Sequence, residues 1–336
     1  MNLYNKDFYQ LQQRGSKNSA RNIAPIILNL VKPKSIVDVG CGVGTWLSVF
    51  MEQGISDVLG IDGEYVDKSM LHIPNEVFLE HDLSKPLTTN RNFSLVVSLE
   101  VAEHISEECV DVFLNNLINL GKVILFSAAI PNQGGVGHYN EQWPDYWIKK
   151  FKMLNYEVLD IIRPKIWNEI ENSFWYNQNI LLFVEKEHLQ NSEYLRKNVK
   201  RDNNFQGLSL VHPELYVRKC EEISNIYRDI FKRMYLEKQY DLVVNFTETN
   251  HPIAHFYIGR AFKDLRKYKD SIRYLEKYLL SMDTEFQLSA TLHLAEVYYY
   301  LEDMKTAKVL FLKCLELTSN NHSLARDYLN KMGYLS

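Results

Sequence analysis

Apolar positions in the first half of the chain keep changing period. Over 18–31 they fall at Ile23, Ile26, Ile27 and Leu30, the spacing of one helix face, and Pro33 ends that run. Ser35-Ile36-Val37-Asp38-Val39 then reads as a short buried strand, followed by a glycine-rich turn and a helix over about 43–53. The same reading predicts strands at 58–62, 77–81, 94–99, 121–127, 156–162 and 179–185, and helices over 106–119 and 144–154. Apolar strands alternating with helices predict an α/β fold whose mainly parallel sheet is covered on both faces. The last two strands are joined by Arg163-Pro164 and an aromatic stretch rather than a clear helix. An antiparallel pair at one sheet edge suits that connection.

From 188 to 215 the periodicity fades, through Gln190-Asn191-Ser192, Arg201-Asp202-Asn203-Asn204 and Pro213, which predicts a linker with a short helix between Leu189 and Leu195. After 215 helical periodicity takes over. Gly259, Phe262, Tyr268, Ser271 and Leu275 recur 36 residues later as Ala295, Tyr298, Met304, Ala307 and Phe311. Small residues stand where two helices would touch and large ones where they interlock. The period and pattern resemble the tetratricopeptide repeat, two antiparallel helices per unit, with a weaker unit around 220–247 and a capping helix near 324–329. The expected organisation is therefore 1–187, a linker over 188–215, and an all-α helical-repeat domain over 216–336.

Composition supports two globular parts. At about 150 residues per domain, 336 residues suggest roughly two, and 46% hydrophobic residues exclude a wholly disordered chain. Net charge is −4, which argues against a polycation built for nucleic acid. The balance is uneven: residues 1–187 hold 16 basic and 23 acidic side chains, leaving 22 and 19 after them. Cys41, Cys109, Cys220 and Cys314 form no CxxC pair, so neither a disulfide framework nor a zinc site is expected, and no metal is predicted. The N-terminus lacks an apolar signal core, and runs such as Val123–Phe126 fall far short of the ~20 residues that span a bilayer, so a cytoplasmic protein without a membrane span is expected.

The densest chemical signal is Asp38-Val39-Gly40-Cys41-Gly42-Val43-Gly44-Thr45-Trp46, a strand running through glycines into a helix. Glycines allow tight turning and close backbone approach to a ligand. The dinucleotide fingerprint wants a third glycine three residues after the second, where Thr45 stands here. Asp38 would repel a pyrophosphate but could meet an ammonium group. This spacing resembles the first motif of class I S-adenosylmethionine-dependent methyltransferases. Gly60-Ile61-Asp62, His81-Asp82-Leu83 and the run Phe93 to His104 follow in the order of that family's later motifs. The resemblance covers residues 1–187 and implies a Rossmann-like sheet and S-adenosyl-L-methionine as cofactor. Its implied cofactor residues are Asp38, Gly40, Cys41, Gly42, Gly44, Asp62, Gly63, Asp82, Leu83 and Leu99, with Asp62 on the ribose hydroxyls and Asp82 on the adenine amino group.

Acceptor-facing residues should lie on loops at the carboxyl ends of strands. His104 follows the fourth strand. The run Ser127 to Pro144 leaves the fifth and packs Gln133, three glycines, His138, Tyr139, Asn140, Glu141, Gln142 and Trp143 into one connector. His138 is the first candidate base, with His104 and Glu141 beside it, because histidine titrates near neutral pH. Gln133, Tyr139, Asn140, Gln142, Trp143 and Arg163 are the candidate acceptor-binding side chains. Tyr9, Arg14, Gly15 and Ser16, and the cluster Trp167, Trp175, Tyr176 and Gln178, are further candidates to line the pocket.

The three motif segments together resemble a bacterial group found with surface-polysaccharide and nucleotide-sugar genes. That resemblance implies O-methylation of a small polar acceptor such as a sugar, sugar phosphate or capsule precursor. Two other readings stay open: a protein side-chain methyltransferase whose helical repeats recruit its target, and a cofactor-binding scaffold without turnover. The C-terminal helices are the expected surface for a protein partner or self-association. No basic groove interleaved with aromatics stands out, so nucleic acid is not an expected partner.

Overall fold

The computed structural model describes residues 6–197, 208–281 and 283–334, with side chains from Gly15 onward. The polar run 201–204 and the side chains of Tyr9 and Arg14 lie outside the described residues. Chain contacts divide the protein into two compact units, Met1–Tyr216 and Val217–Ser336.

The first unit is built on seven strands: β1 (Ser35–Val39), β2 (Asp57–Asp62), β3 (Phe78–Glu80), β4 (Leu95–Leu99), β5 (Val123–Ser127), β6 (Tyr156–Leu159) and β7 (Leu181–Glu185). Their order is β3-β2-β1-β4-β5-β7-β6. β1 to β5 run parallel, and β7 lies antiparallel to both β5 and β6. The expected α/β sheet with an antiparallel edge is therefore what forms. Because strand side chains alternate between faces, neighbouring residues enter different cores. Ile36, Leu95, Val97, Leu125 and Leu182 join α1 (Lys6–Val31) and α2 (Thr45–Glu52) through Ile23, Ile27, Leu47 and Phe50. Val37, Val96, Ile124 and Phe183 join α3 (Val110–Leu120) and α4 (Pro144–Met153) through Phe113, Leu117, Trp147 and Phe151. Both faces are buried, which is why these strands read as continuous apolar runs.

Boundaries differ from the periodicity in places. The helix expected over 106–119 starts as a single 3-10 turn at Glu107–Cys109, and the strand expected over 156–162 ends at Leu159. Short helices at Arg163–Ile166 and Phe174–Asn179 fill the aromatic connection, too short to carry a helical period. Residues beyond 187 also pack into the first unit. Leu189 and Leu195 are buried in the core beneath α1, Leu208 packs on the opposite core, and Leu215 is buried against Ile130 and Phe174.

The second unit is helical throughout its described residues. Pro252–Asp264 and Tyr268–Leu279, then Gln287–Tyr300 and Met304–Leu317, are helix pairs joined by tight turns, and Ser323–Lys331 follows. The repeated small positions sit at the contacts. A Cβ on Gly259 would meet Leu275 at 2.7 Å, and Ser271 Oγ donates to the Gly259 carbonyl at 2.8 Å. Ala295 and Ala307 are fully buried at the equivalent places. Among the described residues no helix is long and apolar enough to cross a membrane.

Ending the chain at Glu187 instead of Tyr216 removes Leu189, Leu195 and Leu215 from their packing. At about 1.5–3 kcal/mol per fully buried leucine, fragment 1–187 should unfold at clearly lower urea than fragment 1–216. Equal midpoints would show that the added segment stabilises nothing.

Candidate functional site

Val39, Asp62, Leu99 and Ser127 end their parallel strands on one edge of the sheet. Above that edge lies a cavity of about 990 Å³. The glycine loop forms one wall. Gly40, Gly42 and Gly44 all take left-handed backbone, and a Cβ on Gly40 would meet Val101 at 2.4 Å. Only glycine allows both that turn and that approach. Gly40 and Cys41 donate their amides to the Ile61 carbonyl at 2.8 and 3.2 Å, which ties the loop to the end of β2.

Asp38, Gly40, Cys41, Gly42, Asp62, Gly63, Asp82, Leu83 and Leu99 all line the cavity; Gly44 does not, and instead precedes α2 with Ile73 packed against it. Asp62 accepts from the amides of Gly42 at 2.6 Å and Gly63 at 2.7 Å, and from the Tyr65 hydroxyl. Its carboxylate therefore holds the loop as well as facing the cavity. Asp82 accepts from the amide and hydroxyl of Ser84 at 3.0 and 2.6 Å and pairs with Lys85 at 3.1 Å. These contacts, the Ser84 hydroxyl first, hold its carboxyl down at about 2. Trp46 and Tyr176 complete a wall, with the indole N–H donating to the phenol at 3.3 Å, and Ser16 of α1 adds its hydroxyl to the same phenol at 3.2 Å.

Charge is what distinguishes the cavity. Burial pushes Asp38 up to about 8, with the neighbouring Asp62 charge adding to it. Burial also raises Asp62, Glu100 and Glu103, and Cys41 is raised by burial and by the Asp38 charge, which leaves no reactive thiolate there. Among the described lining residues, Lys85 is the one lysine or arginine, and it is largely exposed on Asp82. Such a cavity repels a diphosphate and favours a ligand carrying positive charge.

The connector after β5 folds back over the turn after β4. Tyr139 and Asn140 donate their amides to the Glu103 carbonyl at 2.9 and 3.0 Å, and His104 Nδ1 donates to the Gly137 carbonyl at 2.9 Å. The rings of His104 and His138 meet edge to face at 4.9 Å. Burial keeps His104 below the ordinary histidine value. Glu141 accepts from His138 Nδ1 at 2.8 Å and from the amides of Asn132 and Gly134 at 2.7 and 2.9 Å. It orients His138 and closes the loop. His104 and Tyr139 line the cavity, Trp143 is half-exposed at the start of α4, and Asn140 is buried and accepts from Gln142 at 3.0 Å. Gln133 donates to Glu100 at 2.9 Å and accepts from Asn179 and Gln178. Its nitrogen holds Glu100, and its oxygen is taken up by neighbouring donors.

Arg163 is placed differently from the expectation that it meets an acceptor. It is buried, paired with Asp160 at 2.8 Å, and it donates to the carbonyls of Gln178 and Leu208 at 3.0 and 2.9 Å. It pins the segment around 208 to the first unit. An arginine this deep needs all its donors satisfied, and Asp160 three residues earlier is the sequence signal for that role. Glu100 lies inside the motif run but is not singled out by it. It is partly buried, held at φ 55 by Ser127, Gln133 and Asn179, and faces the cavity. Positive φ in a non-glycine residue is strain that sites tend to keep.

A family described as methyltransferase domain matches residues 9–159. Residues 9–159 form a methyltransferase domain. The cofactor is S-adenosyl-L-methionine, and the enzyme is a transferase. Its cationic sulfonium and ammonium suit the buried carboxylates, as the glycine cradle suits close backbone contact. No curated protein matches the chain. Among solved structures, the methyltransferase domain of bacterial CtHen1 is 17% identical, covering 50% of this chain and 98% of that one, with a TM-score of 0.39. Magnesium protoporphyrin IX methyltransferase from Synechocystis PCC 6803 is 17% identical over 52% and 87%, with a TM-score of 0.38. CalS10, an amino pentose methyltransferase from Micromonospora echinaspora, is 11% identical over 54% and 97%, with a TM-score of 0.40.

In the methyltransferase domain, Asp38 ionises near pH 8 when folded and near its ordinary 3.8 when unfolded. The folded state thus holds a proton the unfolded state lacks, and stability falls as pH rises through that window. Asp38→Asn should flatten urea-measured stability between pH 5 and 8 while weakening cofactor binding; an unchanged slope would refute the buried-proton assignment. Asp62→Ala should weaken cofactor binding by about 1–3 kcal/mol, the scale of lost charged hydrogen bonds, read by calorimetry.

Proposed function

We propose that the enzyme methylates an oxygen of a small polar acceptor, a sugar, sugar phosphate or capsule precursor, with S-adenosyl-L-methionine as donor. The observation that carries this reading is the connector over 128–143, which brings Tyr139 and the Glu141-oriented imidazole of His138 to the turn bearing His104 beside the cofactor cavity. The cofactor supplies an activated methyl on a sulfonium, so the protein need not supply a nucleophile of its own.

What the chain contributes is position and a proton acceptor. His138 donates its Nδ1 proton to Glu141, which leaves the lone pair on Nε2. That lone pair suits removal of a hydroxyl proton as the oxygen attacks. Tyr139, Trp143 and Gln142 are the connector's acceptor-facing side chains in this reading, and Gln133 acts through Glu100. The cavity's repulsion of anions limits a phosphorylated acceptor to placing its phosphate at the exposed mouth, near Lys85. The helical repeats of the second unit, whose likeness to tetratricopeptide repeats belongs to the same proposal, serve association with a protein or a second copy.

A methyl-transfer screen over nucleotide sugars and sugar phosphates tests the acceptor class directly. On the acceptor it finds, His138→Ala should lower kcat by about 10²–10⁴-fold, the usual scale for a general base, with cofactor affinity within about twofold of wild type. Turnover at the wild-type level would remove His138 from the chemistry.

A further inference from the structure

Gln178 is fully buried just before β7, and both ends of its side-chain amide are hydrogen-bonded. Its Oε1 accepts the backbone N–H of His212 at 2.7 Å. Its Nε2 donates to Gln133 Oε1 at 3.1 Å and to Asn179 Oδ1 at 2.9 Å. A carboxamide can turn over and exchange its oxygen for its nitrogen unless a neighbour tells the two ends apart. The His212 amide does so here, because a backbone N–H can only donate and therefore holds the oxygen on its own side. The order propagates. Gln133 and Asn179 each turn an oxygen to Gln178, which leaves their nitrogens to donate to the Glu100 carboxylate at 2.9 and 3.1 Å. One backbone N–H thus sets the direction of three side-chain amides, and the chain of them ends on a carboxylate that faces the cavity.

The segment that supplies this N–H is itself held along its length. Arg163 donates to the Leu208 carbonyl at 2.9 Å, and Ser209 Oγ donates to Asp145 at 3.2 Å. His212 Nε2 donates to the Trp167 carbonyl at 2.9 Å, which leaves Nδ1 to accept the Glu214 amide at 3.3 Å. The His212 ring stands 5.0 Å from the Trp167 ring and stacks on Phe174 at 6.2 Å. Leu215 is buried against Phe174 and against Ile130, which lies near the start of the connector over 128–143. So many commitments on eight residues offset the entropy of ordering a linker. All of them lie past residues 9–159, the part that matches the methyltransferase domain.

We propose that residues 208–215 are a strap that completes the site, and that His212 and Gln178 are positioning residues for methyl transfer. They act through Gln133 and Asn179, which hold Glu100, and through Ile130, which seats the connector. Among the described residues lining the cavity neither His212 nor Gln178 appears, so their influence on it is indirect. A site built on loops keeps its geometry only when a supporting layer locks it, and a misplacement of about 1 Å is enough to slow a reaction strongly. The effect on turnover rests on the acceptor reading above; the effect on the connector does not.

The test uses the full chain and two variants. Gln178→Met keeps length and volume but loses both ends of the amide. His212→Pro removes the N–H at a position that precedes Pro213, where the backbone favours the extended form that proline accepts. Deuterium exchange without ligand should be at least about 5-fold faster over 128–143 in both variants, with α3 and β1 at wild-type rates. On whichever acceptor the methyl-transfer screen finds, kcat should fall by about 10-fold or more, with KM for S-adenosyl-L-methionine within about twofold. Wild-type exchange over 128–143 in either folded variant, or equally faster exchange through α3 and β1, overturns the strap. Unchanged kcat in variants whose connector has loosened overturns the positioning role. If the connector loosens as stated and the wild type methylates no sugar or sugar phosphate, the strap stands and the acceptor reading falls.

Discussion

Burial of carboxyl groups around one cavity is the constraint on which the rest of the first unit depends. Asp38, Asp62, Glu100 and Glu103 lie at or beside the carboxyl edge of a parallel sheet, and burial is the largest cause of the upward shift in each. A cost of this kind persists only where surrounding structure over-determines it. The sheet does so. Its two apolar faces, filled by α1 and α2 on one side and α3 and α4 on the other, fix the strand ends from which these carboxylates project. The four groups are relieved unequally. Asp62 gains two amides and a phenol, Glu100 gains two side-chain amides, and Glu103 gains no side-chain partner among the described residues.

The clasp between the turn at 103–104 and the connector at 137–140 turns that charge into a place for chemistry. Two amides on the Glu103 carbonyl and one imidazole on the Gly137 carbonyl bind segments more than thirty residues apart. Backbone atoms carry most of the clasp, so side chains remain to face a ligand. Glu141 serves the loop twice: the same carboxylate that satisfies two backbone amides sets the tautomer of His138.

Local period and spacing make much of this legible in the chain itself. The strand set, the glycine loop, Asp38, Asp62 and the helix hairpins all follow from them, because burial on both faces and left-handed glycines leave a direct mark on composition. Long-range commitments leave no such mark. Arg163 reads as an anion binder, yet its guanidinium is used up by Asp160 and two carbonyls. Gln133 reads as an acceptor contact, yet it holds Glu100. The packing of Leu189, Leu195 and Leu215 is hidden because polar runs around them suppress the period. Glu103 is visible in the sequence only as the residue before His104; its burial depends on atoms from separate loops.

The reversal of β7 carries a consequence of its own. In a wholly parallel sheet, only residues that follow a strand reach the carboxyl edge, so each crossover serves the site once. β7 runs the other way, and the residues that precede it, Gln178 and Asn179, arrive at that same edge. The stretch from 160 to 180 therefore begins and ends on the working side of the sheet, having wound only through short helices. It can change length and shape without lengthening any path through the opposite side. One inverted strand gives the cavity a tunable rim, separate from the parallel strands that form the rest of its floor.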